Sequence, residues 1–84
     1  MKTISYTARA DRALAKMPRK QAEAVEEKIE QYARDPESLS GQVKALQGTD
    51  ARRLRVGNYR VIFNEELVVL NVLAIGHRKA IYKE

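Results

Sequence analysis

The chain has 84 residues, no cysteine and a formal net charge of +5 at pH 7. A chain of this length forms one domain with a thin hydrophobic core, because it buries little more than half of the surface that its unfolded form exposes. Without cysteine, neither disulfide bonds nor a thiolate metal site can add stability. The positive charge favours an anionic partner such as RNA, DNA or an acidic protein, although many small domains are basic for solubility alone.

The sequence shows no segment that would direct the chain into or across a membrane. Its first residues lack the apolar central region of a secretory signal. The longest apolar run, residues 67–75, is interrupted by Asn71 and is too short to span a bilayer. We therefore expect a soluble, cytoplasmic protein with no membrane partner.

A strand and a short helix are predicted at the start of the chain. Residues 2–6 carry Ile4 and Tyr6 at the spacing of a strand. Thr7 is a candidate N-cap for a helix over residues 8–17, because its hydroxyl can accept a hydrogen bond from the first turn.

The second predicted helix has the clearest pattern. It begins at Pro18, because proline is favoured at the first helical position, and it ends at the Asp-Pro pair of residues 35–36. Its apolar residues recur every three or four positions and form one stripe: Ala22, Val25, Ile29, Tyr32 and Ala33. The two helices should form an antiparallel hairpin that needs a sheet to pack on.

The second half of the chain has the pattern of strands. Residues 37–50 are polar and predicted to be irregular. Residues 52–56 and 59–63 are separated by Gly57-Asn58, which indicates a β-hairpin with a two-residue turn. The apolar run from residue 67 to residue 75 suits a central strand of a sheet.

The order of elements predicts the fold class. With no internal repeat or linker, residues 1–84 should form a single domain. The order β-α-α-β-β-β predicts an α+β fold, with the helical hairpin packed on one face of a mostly antiparallel four-stranded sheet.

The two-residue turn determines which residues face each other across the hairpin. Counting outward from it places Arg55 opposite Arg60, and opposed residues share a face of the sheet with alternate pairs. The face packed on the helices should therefore carry Leu54, Val56, Tyr59, Val61 and Phe63.

The other face of the hairpin should carry three arginines, Arg53, Arg55 and Arg60. Like charges that stand opposite each other cost roughly 0.2–1 kcal/mol, so the arrangement calls for a compensating role. Guanidinium groups on one surface can bind phosphate, because each offers a planar fork of donors. The alternatives are a solvated basic face or arginines paired with glutamates of the helices. Arg52 falls on the core side by this count and is expected to extend to solvent.

A second basic cluster, His77-Arg78-Lys79, follows the last predicted strand, with Tyr82 close behind. The strand should deliver these residues to an edge of the same sheet, although a solvated chain end is the alternative. A ribonuclease that works without a metal activates the substrate 2′-hydroxyl and needs a proton acceptor, a proton donor and cations on the developing phosphorane charge. His77 and Tyr82 are the conventional proton-transfer candidates near the arginines. The sequence shows no metal-ligand pattern and suggests no cofactor.

Two motifs resemble those of the RelE/ParE superfamily of toxins. They are LRVGNYRVIF at residues 54–63, preceded by Leu46-Gln47-Gly48, and GHRKAIY at residues 76–82. The resemblance spans nearly the whole chain and is strongest to the RelE-like branch. It implies the toxin of a type II toxin–antitoxin system, a metal-independent endoribonuclease that cleaves mRNA in the ribosomal A site and so inhibits translation. It also implies a cognate antitoxin that neutralises the toxin. The toxin would contact operator DNA only through this antitoxin.

The resemblance also implies roles for individual residues. Arg60 matches a strand arginine that stabilises the scissile phosphate, and Tyr82 matches a C-terminal tyrosine that takes part in proton transfer. Arg53 and Arg55 match basic RNA-binding positions, and Lys79 is expected to bind phosphate with them. The full set of expected catalytic residues is Arg60, Arg78, Tyr82 and His77.

The sequence departs from the family pattern in two places. The interval from Arg78 to Tyr82 is shorter than in the best-known RelE, and His77 stands at a position that is not histidine in every active member. Two alternative functions therefore stay open, and both share the same fold. One alternative is a ParE-like toxin, which poisons DNA gyrase. The other is a weakly active toxin that acts mainly with its antitoxin as a transcriptional co-repressor.

Overall fold

A five-stranded sheet with helices packed on one face forms the structure, a computed structural model that describes residues 1–81. The elements are β1 (Thr3–Tyr6), α1 (Ala8–Lys16), α2 (Arg19–Arg34), a 3-10 helix (Pro36–Gln42), β2 (Val43–Ala45), β3 (Arg52–Val56), β4 (Tyr59–Glu65) and β5 (Val69–His77). No helix in residues 1–81 has both the length and the apolar character that a membrane crossing requires.

The strands lie in the order β1-β5-β4-β3-β2. Within residues 1–81, the β1–β5 pair is parallel and the other neighbouring pairs are antiparallel. The long connection from β1, which includes α1 and α2, allows the parallel pairing. The predicted α+β fold, with helices on one face of a mostly antiparallel sheet, is confirmed.

The predicted count of four strands is wrong. The additional strand, β2, is the three-residue segment Val43–Ala45, which pairs with the first half of β3. It lies within residues 37–50, which the sequence predicts to be irregular and which also contain the 3-10 helix. So short a strand cannot display a period of two, and it pairs because a turn with Gly48 at φ +78 returns the chain alongside β3.

The last strand lies two residues further along the chain than predicted. It covers Val69–His77 instead of residues 67–75. Leu67 and Val68 are 91% and 65% exposed in the turn before it. The difference arises because β4 continues to Glu65, which moves the turn onto the first apolar residues of the run.

The two helices begin close to the predicted residues. Thr7 is the N-cap of α1, and its Oγ1 accepts a hydrogen bond from Ala10 N at 3.1 Å. Pro18 is the N-cap of α2 and not its first helical residue. The predicted apolar stripe of α2 is buried against the sheet through Val25, Ile29, Tyr32 and Ala33.

The β3–β4 hairpin has the predicted register, with Arg55 opposite Arg60. Gly57 adopts a φ of +57 and Asn58 does not adopt a positive φ, the combination of a type II′ turn. On the side that packs against the helices, three hairpin residues are each only 1% exposed: Leu54, Val61 and Phe63.

A β-bulge determines which side the end of β5 faces. The pairing with β4 shifts at Leu73, which has no partner in that strand. The Leu73 carbonyl instead accepts a hydrogen bond from Thr7 Oγ1 at 2.7 Å. Beyond the bulge His77 pairs with Tyr59, which places His77 on the helix side of the sheet.

The Glu65 carboxylate ties β4 to α2, β3 and the N-terminus. It accepts hydrogen bonds from Lys2 Nζ at 2.9 Å, Tyr32 OH at 2.9 Å and Arg52 Nη1 at 3.4 Å. The sequence predicts that Arg52 extends to solvent; its side chain is 50% exposed, but it forms an ion pair with Glu65. Arg52 pairs with Phe63, so Glu65 is its diagonal neighbour on the same face of the β3–β4 pair.

The Glu65 cluster also shifts the pKa of two of its members. Burial by itself would raise the pKa of the Glu65 carboxyl, but the hydrogen bonds from Lys2 and Tyr32 and the positive charges of Lys2 and Arg52 hold it below its usual value. Burial, followed by the contact with Glu65, raises the pKa of the Tyr32 hydroxyl. The cluster is therefore stable with Glu65 charged and Tyr32 neutral.

We expect Glu65→Gln to lower the free energy of unfolding near neutral pH by about 1–3 kcal/mol, because charge-assisted hydrogen bonds would be lost. The pKa of the Glu65 carboxyl is lower in the folded state than in the unfolded state. The stability that the charged carboxylate contributes is therefore complete above the pKa of the unfolded state, about 4.3, and is lost as the pH falls through the pKa of the folded state. Urea unfolding of both proteins from about pH 7 to about pH 3 measures it. Glu66→Gln, a change at the exposed neighbouring residue, is the control. Equal effects of the two substitutions on the free energy of unfolding would contradict the stabilising role assigned to Glu65.

Candidate functional site

Three arginines lie on the sheet face that points away from the helices. Arg55 and Arg60 form a directly opposed pair, and Arg53 lies two residues before Arg55 on the same strand. Arg55 is exposed, whereas Arg53 and Arg60 are partly buried. The turn at Gly57 therefore concentrates positive charge on one side of the hairpin, as the counted register predicts.

The Arg60 side chain folds back over the hairpin turn. Its Nη1 donates hydrogen bonds to the Gly57 carbonyl at 3.1 Å and to the Tyr59 carbonyl at 3.0 Å. These two carbonyls hold the guanidinium in place although another arginine stands opposite. A guanidinium has five N–H donors, so bonds made by one nitrogen leave it able to contact an anion.

Arg55, Arg60 and Arg78 line one open cleft of about 460 Å³, the arginine cleft. Lys28 of α2 and Gln42 also line it. It lies beside the part of β3 that extends beyond the residues paired with β2. Its lining within residues 1–81 contains four positive side chains and no carboxylate. An arrangement of this kind attracts anions, because charges of one sign in a concave surface reinforce each other.

Lys28 is a member of the arginine cleft that no sequence pattern indicated. It lies on the polar side of α2, among glutamates, where a lysine is unremarkable in sequence. Its Nζ lies 3.4 Å from Gln31 Oε1, to which it donates a hydrogen bond. Only the packing of α2 beside the end of β3 brings Lys28 near the arginines.

Glutamates of the helices do not neutralise the arginine face. Within residues 1–81, none of the ion pairs involves Arg53, Arg55 or Arg60, whereas Arg19 and Arg52 each pair with a glutamate. The Arg53 Nε is buried and has no hydrogen-bond partner in the same part of the chain. The positive charge of this face is therefore available to a ligand.

The structure separates the residues of the second basic cluster. Arg78 is exposed, lines the arginine cleft and donates its backbone N–H to the Asn58 carbonyl at 2.8 Å. His77 is on the opposite side of the sheet, beside Tyr59. Lys79 is exposed in the turn that follows β5 and is not part of the cleft lining. Tyr82 lies outside the described residues.

We expect Arg55→Gln to raise the free energy of unfolding by about 0.2–1 kcal/mol at low salt, because it removes the like charge opposite Arg60. Salt should diminish the gain, since it screens the repulsion between the two guanidiniums. Urea unfolding at low and high ionic strength measures both effects. Arg12→Gln, an exposed change on α1, is the control for net charge. An unchanged or reduced stability of the Arg55 variant at low salt would contradict the prediction.

Comparison with known proteins identifies a family. Residues 3–82 match the family described as the ParE toxin of a type II toxin–antitoxin system, parDE. No curated protein sequence matches the chain significantly. The family match covers nearly the whole chain, including both motifs that carry the resemblance noted above.

Solved structures share the fold over the same extent. The RelBE2 toxin–antitoxin complex from Mycobacterium tuberculosis contains a chain that is 26% identical, with a TM-score of 0.77 and coverage of 92% of this chain and 98% of that chain. A chain of the archaeal RelE–RelB complex from Pyrococcus horikoshii is 25% identical, with a TM-score of 0.76 and coverage of 94% and 97%. YafQ from E. coli, at 12% identity, shows the likeness of fold alone, with a TM-score of 0.79 and coverage of 98% and 99%. The chain therefore belongs to the ParE toxin family of type II toxin–antitoxin systems, within the RelE/ParE superfamily.

Proposed function

We propose that this toxin is a metal-independent endoribonuclease that cleaves mRNA on the ribosome and so inhibits translation. The observation that carries the proposal is the arginine cleft, in which Arg55, Arg60 and Arg78 meet beside the end of the β3–β4 hairpin. A cleft lined by guanidiniums suits the phosphodiester backbone of RNA, because each group can bind phosphate oxygens through two parallel N–H donors.

The proposed reaction starts from the 2′-hydroxyl of the RNA. A proton acceptor takes its proton, the 2′-oxygen attacks the adjacent phosphorus, and the bond to the 5′-oxygen breaks as that oxygen receives a proton. The charge that develops on the phosphorane is stabilised by Arg60 and Arg78. We assign proton transfer to Tyr82 from the family resemblance.

The remaining cations are proposed to bind the RNA on either side of the cleavage point. Arg55 and Lys28 line the arginine cleft, and Arg53 lies on the same face as Arg55, two pairs further from the turn. Lys79 is exposed beyond the end of β5, where it can contact the phosphate of a neighbouring nucleotide or of ribosomal RNA. This distribution separates phosphate binding from the chemical step at Arg60.

We also propose that a cognate antitoxin holds the toxin inactive in the cytoplasm. The similar chains from M. tuberculosis and P. horikoshii were crystallised with their RelB partners. The unneutralised arginine face of this chain would favour an acidic, amphipathic antitoxin segment that orders when it binds and covers the sheet or the helical hairpin. Operator DNA would be contacted through the antitoxin.

One observation favours a second function. The matching family is described by the ParE toxin of a parDE system, and ParE-like toxins poison DNA gyrase. The two functions make different demands on the arginine cleft. Cleavage of RNA requires cations around a reacting phosphate, whereas a gyrase poison needs no such site, so the cleft residues discriminate between them.

We expect Arg60→Ala to reduce mRNA cleavage by about 100- to 1,000-fold, the usual effect of removing one group that stabilises transition-state charge. Tyr82→Phe should abolish cleavage and toxicity, because it removes the hydroxyl to which we assign proton transfer. Primer extension on mRNA after toxin induction, with and without translation of the message, provides the measurement. Cuts should appear only in translated frames.

The control for Arg60 is Arg19→Ala, which removes an exposed arginine that pairs with Glu23 on α2. It should leave cleavage unchanged. The nuclease proposal fails if Arg60→Ala and Tyr82→Phe both remain fully toxic while gyrase-linked DNA breaks accumulate. It also fails if cuts appear equally in untranslated RNA, since ribosome dependence would then be absent.

The antitoxin proposal predicts that toxin expressed from its own operon purifies as a complex with an acidic protein. High salt should weaken the complex, because the proposed contacts are between charges of opposite sign. Size-exclusion chromatography over a range of ionic strength measures this. A stable free toxin that is non-toxic on its own would count against the proposal.

A further inference from the structure

A short turn that begins at the last residue of β5, residues 77–81, connects the two sides of the sheet. Within this C-terminal turn, the His77 carbonyl accepts hydrogen bonds from Ala80 N at 2.8 Å and from Ile81 N at 3.0 Å. The Arg78 N–H donates to the Asn58 carbonyl at 2.8 Å, which attaches the turn to the β3–β4 hairpin. The position of Arg78 in the arginine cleft therefore depends on this turn.

The C-terminal turn begins on the helix side of the sheet. His77 pairs with Tyr59, whereas Arg60 pairs with Gly76, and neighbouring residues of a strand project to opposite faces. The imidazole and the Tyr59 ring meet edge to face, with centroids 5.9 Å apart and an interplanar angle of 75°. The Tyr59 hydroxyl in turn donates a hydrogen bond to Gln21 Oε1 at 2.8 Å. The imidazole is thus held on the helix side beside Tyr59, whereas residue Arg60 projects from the opposite face of the strand.

The imidazole also makes a bond inside the turn. His77 Nδ1 accepts a hydrogen bond from Lys79 N at 3.2 Å. With Nδ1 acting as an acceptor, the neutral ring carries its proton on Nε2. The bond caps the Lys79 N–H of the turn, in the way that a short polar side chain caps the start of a helix.

The C-terminal turn ends on the arginine face. A Cβ placed on Gly76 would lie 3.1 Å from Ile81 Cδ1, so the absence of a side chain at Gly76 makes room for Ile81. Ile81 is only 8% exposed there. Because Gly76 pairs with Arg60, this contact lies on the same face as that arginine. The turn therefore crosses the end of the sheet, held by His77 on one side and by Ile81 on the other.

We infer that His77 is a positioning residue, which caps the turn that presents Arg78 to the arginine cleft, and that it does not exchange a proton with the RNA. This inference rests on the proposed ribonuclease function. It differs from the role that the family resemblance implies for His77, because the ring lies on the opposite side of the sheet from Arg60 and its Nδ1 is occupied by Lys79 N.

Two substitutions separate positioning from proton transfer. His77→Asn keeps an acceptor attached to Cγ, so it can retain the bond from Lys79 N, but it cannot act as an acid or base near neutral pH. His77→Phe keeps a ring against Tyr59 and removes the acceptor. We expect single-turnover cleavage of mRNA on programmed ribosomes to stay within about threefold of wild type for His77→Asn and to fall by about 3- to 10-fold for His77→Phe, the effect of one lost hydrogen bond.

The inference is overturned if His77→Asn loses about 100-fold or more, the effect of removing a general acid or base. It is equally overturned if His77→Phe retains full activity. The loss of activity in His77→Phe should appear in the cleavage rate at saturating toxin concentration, because Arg78 acts on the reacting phosphate. A change confined to the half-saturating concentration would also contradict the inference.

A measurement without substrate makes the test independent of the proposed function. Nitrogen-15 NMR of the full chain should show the neutral His77 ring protonated on Nε2. The Lys79 amide signal should move in His77→Phe and stay near its wild-type position in His77→Asn. A neutral ring protonated on Nδ1, or an unmoved Lys79 amide in His77→Phe, would overturn the cap even if the wild-type toxin cleaves no mRNA.

Discussion

The two-residue turn at Gly57-Asn58 is the constraint on which the rest of the structure depends. The positive φ of Gly57 closes β3 onto β4 in one register, in which apolar pairs face the helices and Arg55 stands opposite Arg60. A slip of one residue would expose Leu54 and turn the arginines toward the core. Burial of the apolar face therefore stabilises the register, and the same register assembles the arginine face.

The structure contains two clusters of positive charge that it treats differently. At Glu65, the cations Lys2 and Arg52 surround a carboxylate and link four parts of the fold. In the arginine cleft, the lining residues of the described chain include no carboxylate, and Arg55 remains opposed to Arg60. The first cluster adds stability to a thin core, whereas the second opposes stability. An uncompensated cluster in so small a domain is more easily explained by ligand binding than by folding.

The comparisons establish the ParE toxin family for this chain and show that its fold is shared by the RelE–RelB complex and by YafQ. A shared fold does not determine the activity, which depends on the side chains of particular sites. In this chain the candidate site is the arginine cleft, together with the C-terminal turn that adds Arg78 to it. The proposed ribonuclease function and the proposed role of His77 both rest on these local features.

The sequence by itself determined the elements whose signals are local: the apolar stripe of α2, the Thr7 cap, the hairpin turn and the resulting face of Arg53, Arg55 and Arg60. Helical period and turn chemistry are properties of neighbouring residues, so they can be read without the fold. Tertiary structure decided the rest. The strand Val43–Ala45 exists only through its pairing with β3. Lys28 reaches the cleft only because α2 packs beside β3. The side on which His77 lies depends on one unpaired residue, Leu73, which shifts the alternation of β5 and leaves no mark in an apolar sequence.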